Sequence, residues 1–163
     1  MAMSDRPFLQ TSRGPREKMK AILNNPVPNF IFFSYVLNAT WEWTQSPFFI
    51  DTASNLNTIV WYRVHCSLGD TVILLIGFTV ISFYRKSLGW ICRPKVKDYL
   101  VLVFFGVFYT FFSEYINVYV RHSWSYSEYM PLMPLIPVGT IPLMQWIILP
   151  PVIVLITRRQ IRP

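Results

Sequence analysis

Four apolar runs constrain this chain more than any other feature. They lie at about 29–50, 65–84, 98–120 and 136–157. Each is roughly 20 residues long, which matches a hydrocarbon core of about 30 Å at about 1.5 Å of helical rise per residue. Together they occupy most of the 163 residues, so no separate soluble domain is expected. Composition agrees, with 53% hydrophobic, 17% aromatic and only 14% charged residues. That balance belongs to a membrane protein. The expected fold is all-α, a polytopic four-transmembrane-helix bundle. The expected organisation is a basic tail over residues 1–28, the helical domain over 29–157 and a basic end over 158–163.

The formal charge of +7 is distributed as topology rather than as a nucleic-acid surface. Thirteen of the 15 Lys and Arg residues lie in three places: the tail (Arg6, Arg13, Arg16, Lys18, Lys20), the middle loop (Arg85, Lys86, Arg93, Lys95, Lys97) and the C-terminal end (Arg158, Arg159, Arg162). The first and third loops hold only Arg63 and Arg121. The positive-inside rule then predicts both termini and the middle loop in the cytoplasm, and the expected location is integral to a membrane, the bacterial inner membrane. The chain's expected partners are the lipid bilayer, a hydrophobic small molecule or lipid, and membrane-complex subunits, with no nucleic acid. The tail reads as flexible or interfacial, with Arg16 to Leu23 as an alternative short amphipathic helix. The third loop, "RHSWSYSEYMPLMPLIPVG", repeats proline at 131, 134 and 137. It predicts an extended, apolar cover over the outer helix ends. Pro142, Pro150 and Pro151 predict kinks in the last helix.

Against this apolar background the ionisable residues stand out. The stretch "NATWEWTQ" places Asn38, Glu42 and Gln45 at i, i+4 and i+7, one stripe of a helix. Arg63, Ser67 and Asp70 recur at similar spacing in the second segment, and Thr110, Glu114, Asn117 and Arg121 in the third. Gln145 lies about nine residues from the outer end of the fourth. With the expected topology all of these reach one level, the outer half of the membrane. Lipid-exposed carboxylates there would cost roughly 2.5 to 3.5 kcal/mol each. The stripes are therefore expected to turn inward around a polar pocket that opens outward, with His65 at its mouth.

Three chemistries fit such a pocket. The first is acid–base chemistry of the cyclase or isomerase type on an isoprenoid-like lipid. A carboxylic acid kept neutral by an apolar site can protonate an olefin or epoxide. Aromatic faces such as Trp41, Trp124 and Tyr126 can stabilise the resulting cation. In this reading Glu42 donates the proton, and Glu114 and Asp70 tune it or take the terminal proton. Asn38, Gln45, His65, Asn117 and Gln145 orient the site. The "NATWE" of Asn38 to Glu42 resembles the N-x-x-W-E stretch of integral-membrane terpene cyclases of fungal meroterpenoid pathways. That resemblance implies Glu42 as the acid. A wider pattern is similar to small bacterial four-helix integral membrane proteins of unassigned function. It comprises W-E-x-x-Q at Trp41 to Gln45, H-x-x-x-G-D at His65 to Asp70, then Glu114 followed by W-x-Y and M-P. It implies topology and residue grouping only.

The second chemistry is a metal held by Glu42, Asp70, Glu114 and His65, a set suited to iron, manganese or zinc. The chain has no E-x-x-H or H-x-x-x-H pair on these segments, and no cofactor is expected. The third is no chemistry at all. A small helical protein with an apolar outer loop can serve as an accessory subunit that braces a larger membrane complex or holds a pigment or quinone. On that reading Glu42 and Glu114 form a buried pair that fixes helix register.

Overall fold

The computed structural model describes residues 14–51 and 55–161. The chain is mostly helical. Helix α1 spans Pro15–Leu23, α2 Pro26–Thr44, α3 Leu56–Arg85, α4 Val96–Glu114 and α5 Thr140–Ile161. A π-helical segment, Tyr115–Val120, continues α4. A two-stranded antiparallel ribbon joins β1 (Phe49–Asp51) to β2 (Trp124–Tyr126), with Ile50 opposite Ser125.

Local chemistry sets these boundaries. Pro26 opens α2 behind Asn25, whose side chain accepts from the Val27 N–H at 3.0 Å. The helix stops at Thr44 rather than near residue 50. Pro47 cannot continue the ladder, and Ser46–Phe48 forms a 3₁₀ turn into β1. The second helix begins well before the expected residue 65. Asn55 caps it by accepting from the Thr58 N–H at 2.9 Å, and nothing between Leu56 and Arg85 interrupts it. The polar "NLNT" run that reads as loop is therefore its first turn. In α4 the Lys95 N–H donates to Asp98 Oδ2 at 2.8 Å. The last helix starts at Thr140, after Pro137 and Gly139, and carries Pro150 and Pro151 within it. Its basic residues Arg158 and Arg159 belong to its last turn, not to a separate end. Helix α1 realises the short-helix alternative for the tail. The expectation for the rest of the tail falls on residues 1–13, outside the described residues.

Helix α2 packs on α3 and α5, and α4 packs on α3 and α5. Three of them, α3, α5 and α4 with its π-helical extension, are long and apolar enough to cross a membrane. The first expected span, α2, is not in that group, because its inward polar residues, Asn29, Ser34, Asn38 and Glu42, lower the mean hydropathy of this short helix. The packed core fills one half of the bundle. Phe30 of α2, Phe78 and Ile81 of α3, Leu102 of α4 and Ile153 of α5 are almost wholly buried there, with Trp90 and Ile91 from the α3–α4 loop. Phe78 lies 4.8 Å from the Phe30 ring and 5.3 Å from Trp90. The other half, toward the ribbon, holds the polar stripes.

Helices α4 and α5 meet where Gly106 receives the indole of Trp146. A Cβ at position 106 would lie 1.7 Å from Trp146 Cε3. The ring is 1% exposed and has nowhere to go. Overpacking of this kind costs about 1–3 kcal/mol. Gly106→Ala is expected to lower the thermal midpoint in detergent by several degrees. A midpoint equal to that of the parent chain would contradict this packing.

Candidate functional site

The ribbon half of the bundle encloses a cavity of about 310 Å³. Every helix from α2 to α5 contributes to its wall. Glu42 and Gln45 come from α2, Arg63, His65 and Asp70 from α3, Thr110 and Glu114 from α4, and Pro142 and Gln145 from α5. The π-helical turn after α4 adds Asn117 and Arg121. Such turns insert an extra residue and are frequent at functional positions. His122 then takes a left-handed backbone, φ 53°, and the chain reverses into β2.

Hydrogen bonds organise the polar atoms into three connected sets. In the first, Gln145 Nε2 donates to both Asn38 Oδ1 and Asp70 Oδ2 at 2.7 Å, so one amide links α5, α2 and α3. Asn38 Nδ2 in turn donates to the Ser34 carbonyl at 2.8 Å. In the second, Trp41 Nε1 donates to Gln45 Oε1 at 3.0 Å, and Gln45 Nε2 to Glu42 Oε1 at 2.7 Å. The other oxygen, Glu42 Oε2, faces Arg63 Nη1 at 3.8 Å, both side chains being buried. Arg63 also lies over the Phe49 ring, 5.8 Å from its centroid. In the third, Tyr126 Oη donates to Glu114 Oε2 at 2.7 Å and accepts from the Gly139 N–H at 3.0 Å. Burial and the neighbouring Glu114 carboxyl push the Tyr126 phenol above its ordinary value, which keeps it a donor.

The ribbon covers one end of this cavity. The Ser127 N–H donates to the Phe48 carbonyl at 3.0 Å, and Ser127 Oγ donates to the Pro47 carbonyl at 2.9 Å. Ser123 and Trp124 line the cavity from above. The cover is thus a paired ribbon rather than the extended proline segment alone. That segment folds on itself beside it, with Tyr119 Oη donating to the Pro137 carbonyl and the Thr140 N–H to that of Pro131 at 2.7 Å.

Eight of the eleven residues singled out in the sequence line the cavity: Glu42, Gln45, His65, Asp70, Glu114, Asn117, Trp124 and Gln145. Asn38, Trp41 and Tyr126 stand one hydrogen bond behind it. Arg63 is the main addition. The sequence places it on the stripe of Ser67 and Asp70, and the structure sets it against Glu42. Its spacing of seven from Asp70, two helical turns, places it on the same face of α3. Cys66, Gly69, Tyr109 and Ser113 also line the wall. Tyr109, Ser113 and Asn117 recur every four residues, a polar stripe beside the one read from Thr110 and Glu114. Among the described residues, no group of three or more His, Cys, Asp or Glu side chains is arranged to hold a metal ion.

No protein-family model, curated protein or solved structure matches this chain.

Removing Arg63 would leave Glu42 without its guanidinium in a buried site. Breaking such a pair typically costs about 3–5 kcal/mol. Arg63→Met is expected to destabilise the chain, with a smaller loss at pH 5 than at pH 8, because protonating Glu42 removes the unpaired charge. The double variant Arg63→Met/Glu42→Gln should recover part of the loss. Denaturation at the two pH values checks this, and equal losses for single and double variants would show that the pair is not coupled.

Proposed function

We propose that this is a four-helix integral membrane protein, with both termini cytoplasmic, that performs acid–base chemistry of the isomerase or cyclase type on an isoprenoid-like lipid. The observation that carries the reading is the convergence of three buried carboxyl groups and one buried guanidinium on a single cavity. As a set these four groups are neutral when two carboxyls carry protons. A protonated carboxyl in an apolar cavity is a proton donor. Intramembrane carboxyls of this kind are functional by default, since each is costly to insert. The basic residues near the α3–α4 turn and at the end of α5 support the orientation.

The hydrogen bonds suggest a division of labour. Glu42 and Asp70 each accept from an amide, but Glu42 also faces the guanidinium, which is the environment of an anion. Asp70 meets the amide of Gln145, and Glu114 the phenol of Tyr126. Asp70 suits proton donation to an olefinic carbon, where a C–H bond forms as the π bond breaks. The cation so formed rearranges or closes. It then loses a proton to the Glu42 carboxylate as a new alkene forms, and the cluster passes that proton back to Asp70. No oxidant or reductant is consumed. The resemblance to membrane terpene cyclases implies instead that Glu42 is the donor.

Deuterium oxide separates these assignments. In vesicles loaded with an acyclic isoprenoid olefin, the parent chain is expected to yield an isomer with carbon-bound deuterium; from the corresponding epoxide, whose oxygen takes an exchangeable proton, it is expected to yield an isomeric alcohol. Asp70→Asn should yield neither. If Asp70→Asn retains incorporation and Glu42→Gln loses it, Glu42 is the donor. Absence of any isomer from the parent chain across both substrate types would count against the enzymatic reading.

One observation favours the accessory-subunit alternative. Leu132, Met133, Leu135 and Ile136 project from the proline segment, Leu135 being 94% exposed. An apolar knob of this kind suits a partner protein.

A further inference from the structure

Glycines along α3 record how closely α4 approaches it. A Cβ at Gly77 would lie 2.9 Å from Leu102 Cδ2 and 3.8 Å from Leu102 Cα, so the two helices touch there. About two turns nearer the ribbon, a Cβ at Gly69 would meet only the hydroxyl of Tyr109, at 3.9 Å. Helices α3 and α4 therefore fork from the Gly77–Leu102 contact toward the ribbon. The cavity lies in that fork, with Cys66, Gly69, Tyr109 and Ser113 along its two sides.

The other seams are shut among the described residues. Trp146 closes α4 against α5 by lying on Gly106 and donating to Thr110 Oγ1. Gln145 closes α5 against α2 through Asn38. The Arg63–Glu42 pair and the Phe30–Phe78 contact close α2 against α3. Wall residues that are themselves exposed, His65, Tyr109 and Arg121, belong to α3 and to α4 with its π-helical extension. The fork is rimmed by large exposed apolar side chains, Leu68 and Val72 on α3 and Phe108 and Phe112 on α4. Both flanking helices have the length and apolarity to cross a membrane. A polar cavity thus opens sideways through an apolar rim.

Size narrows the occupant. At about 30 Å³ per water-sized group, 310 Å³ holds about ten heavy atoms. A longer chain must leave part of itself in the fork. We propose that the ligand is a bilayer-dissolved amphiphile that enters sideways between α3 and α4. Its reactive or polar end lies among Glu42, Asp70 and Glu114, its chain remains in the fork, and Tyr109 gates the entrance. This rests on the site being the lipid site of the preceding section.

Spin-label accessibility tests it. Cys66 and Cys92 are both free thiols. In a Cys66→Ser/Cys92→Ser background, a nitroxide is placed at Ser113→Cys, and a control label at Phe104→Cys on the exposed face. In phosphatidylcholine vesicles, collisions with oxygen, which dissolves in lipid, should exceed those with a water-soluble nickel chelate at position 113. Gly69→Leu should lower oxygen collisions at 113 to the level of a buried site and leave 104 unchanged. Farnesol added to the vesicles should do the same. If the chelate reaches 113 better than oxygen, if both are excluded, or if neither Gly69→Leu nor farnesol alters the reading, lateral entry is overturned. A label on native Cys66 in the Cys92→Ser chain gives the same reading if Ser113→Cys fails to fold. Collision rates report access alone. Lateral access with no isomer from either substrate would therefore retire the acid–base chemistry and leave the lipid site standing.

Discussion

One amide holds the polar half of this molecule together. Gln145 donates from a single nitrogen to Asn38 and to Asp70, and so fixes three helices at one level. A buried polar group left without a partner costs about 1–3 kcal/mol, more when charged. Helices whose outer faces carry Val72, Phe108 and Ile147 have no polar surface there to offer. The stripes of α2, α3, α4 and α5 must therefore satisfy one another. Doing so turns them inward and leaves a cavity among them. The apolar half of the bundle, from Phe30 to Ile153, carries a smaller demand of this kind, met where the Trp90 indole donates to Ser82 Oγ at 3.1 Å. Apolar packing is concentrated in one half and the polar groups in the other.

Helical periodicity made the inward stripes legible in the sequence. Asn38, Glu42 and Gln45 share a face, and so do Arg63, Ser67 and Asp70, because their spacings are close to whole turns. Helix ends were less legible, since they depend on single capping contacts. Asn55 turns a polar run into the start of α3, and Pro47 ends α2 early. Pairings across helices were not legible at all. That Arg63 faces Glu42 depends on how α2 and α3 rotate against each other, which spacing along one helix does not encode. The pairing of β1 with β2 likewise joins distant residues, Phe49 with Tyr126 and Ile50 with Ser125, and no local signal announces it.

That ribbon ties the cover to the site. Tyr126 sits in β2, yet its hydroxyl reaches Glu114 in α4 and takes a hydrogen bond from Gly139, just before α5. The Cβ position of Gly139 is crowded by Met130 and Tyr126, so the segment leading into α5 is held close to the cover. Displacing the ribbon would release the phenol from Glu114 and open the end of the cavity to water. Lateral entry as proposed needs no movement of the ribbon, because Tyr109, beside Gly69, is the side chain at the fork. In the proposed mechanism, the ribbon excludes water while the fork admits lipid. Carbocation chemistry needs that combination, since water would quench the cation before it rearranged.

The account stands or falls on whether the cavity holds a lipid. Native mass spectrometry of the chain extracted gently from its own membranes measures this most directly. The account predicts a single lipid-sized adduct on each chain, lost when Ser113→Trp fills the fork. A chain that flies bare, or only within a larger assembly of fixed composition and without an adduct, would contradict it. The second of those outcomes would move attention to the exposed Leu135 loop as a protein interface.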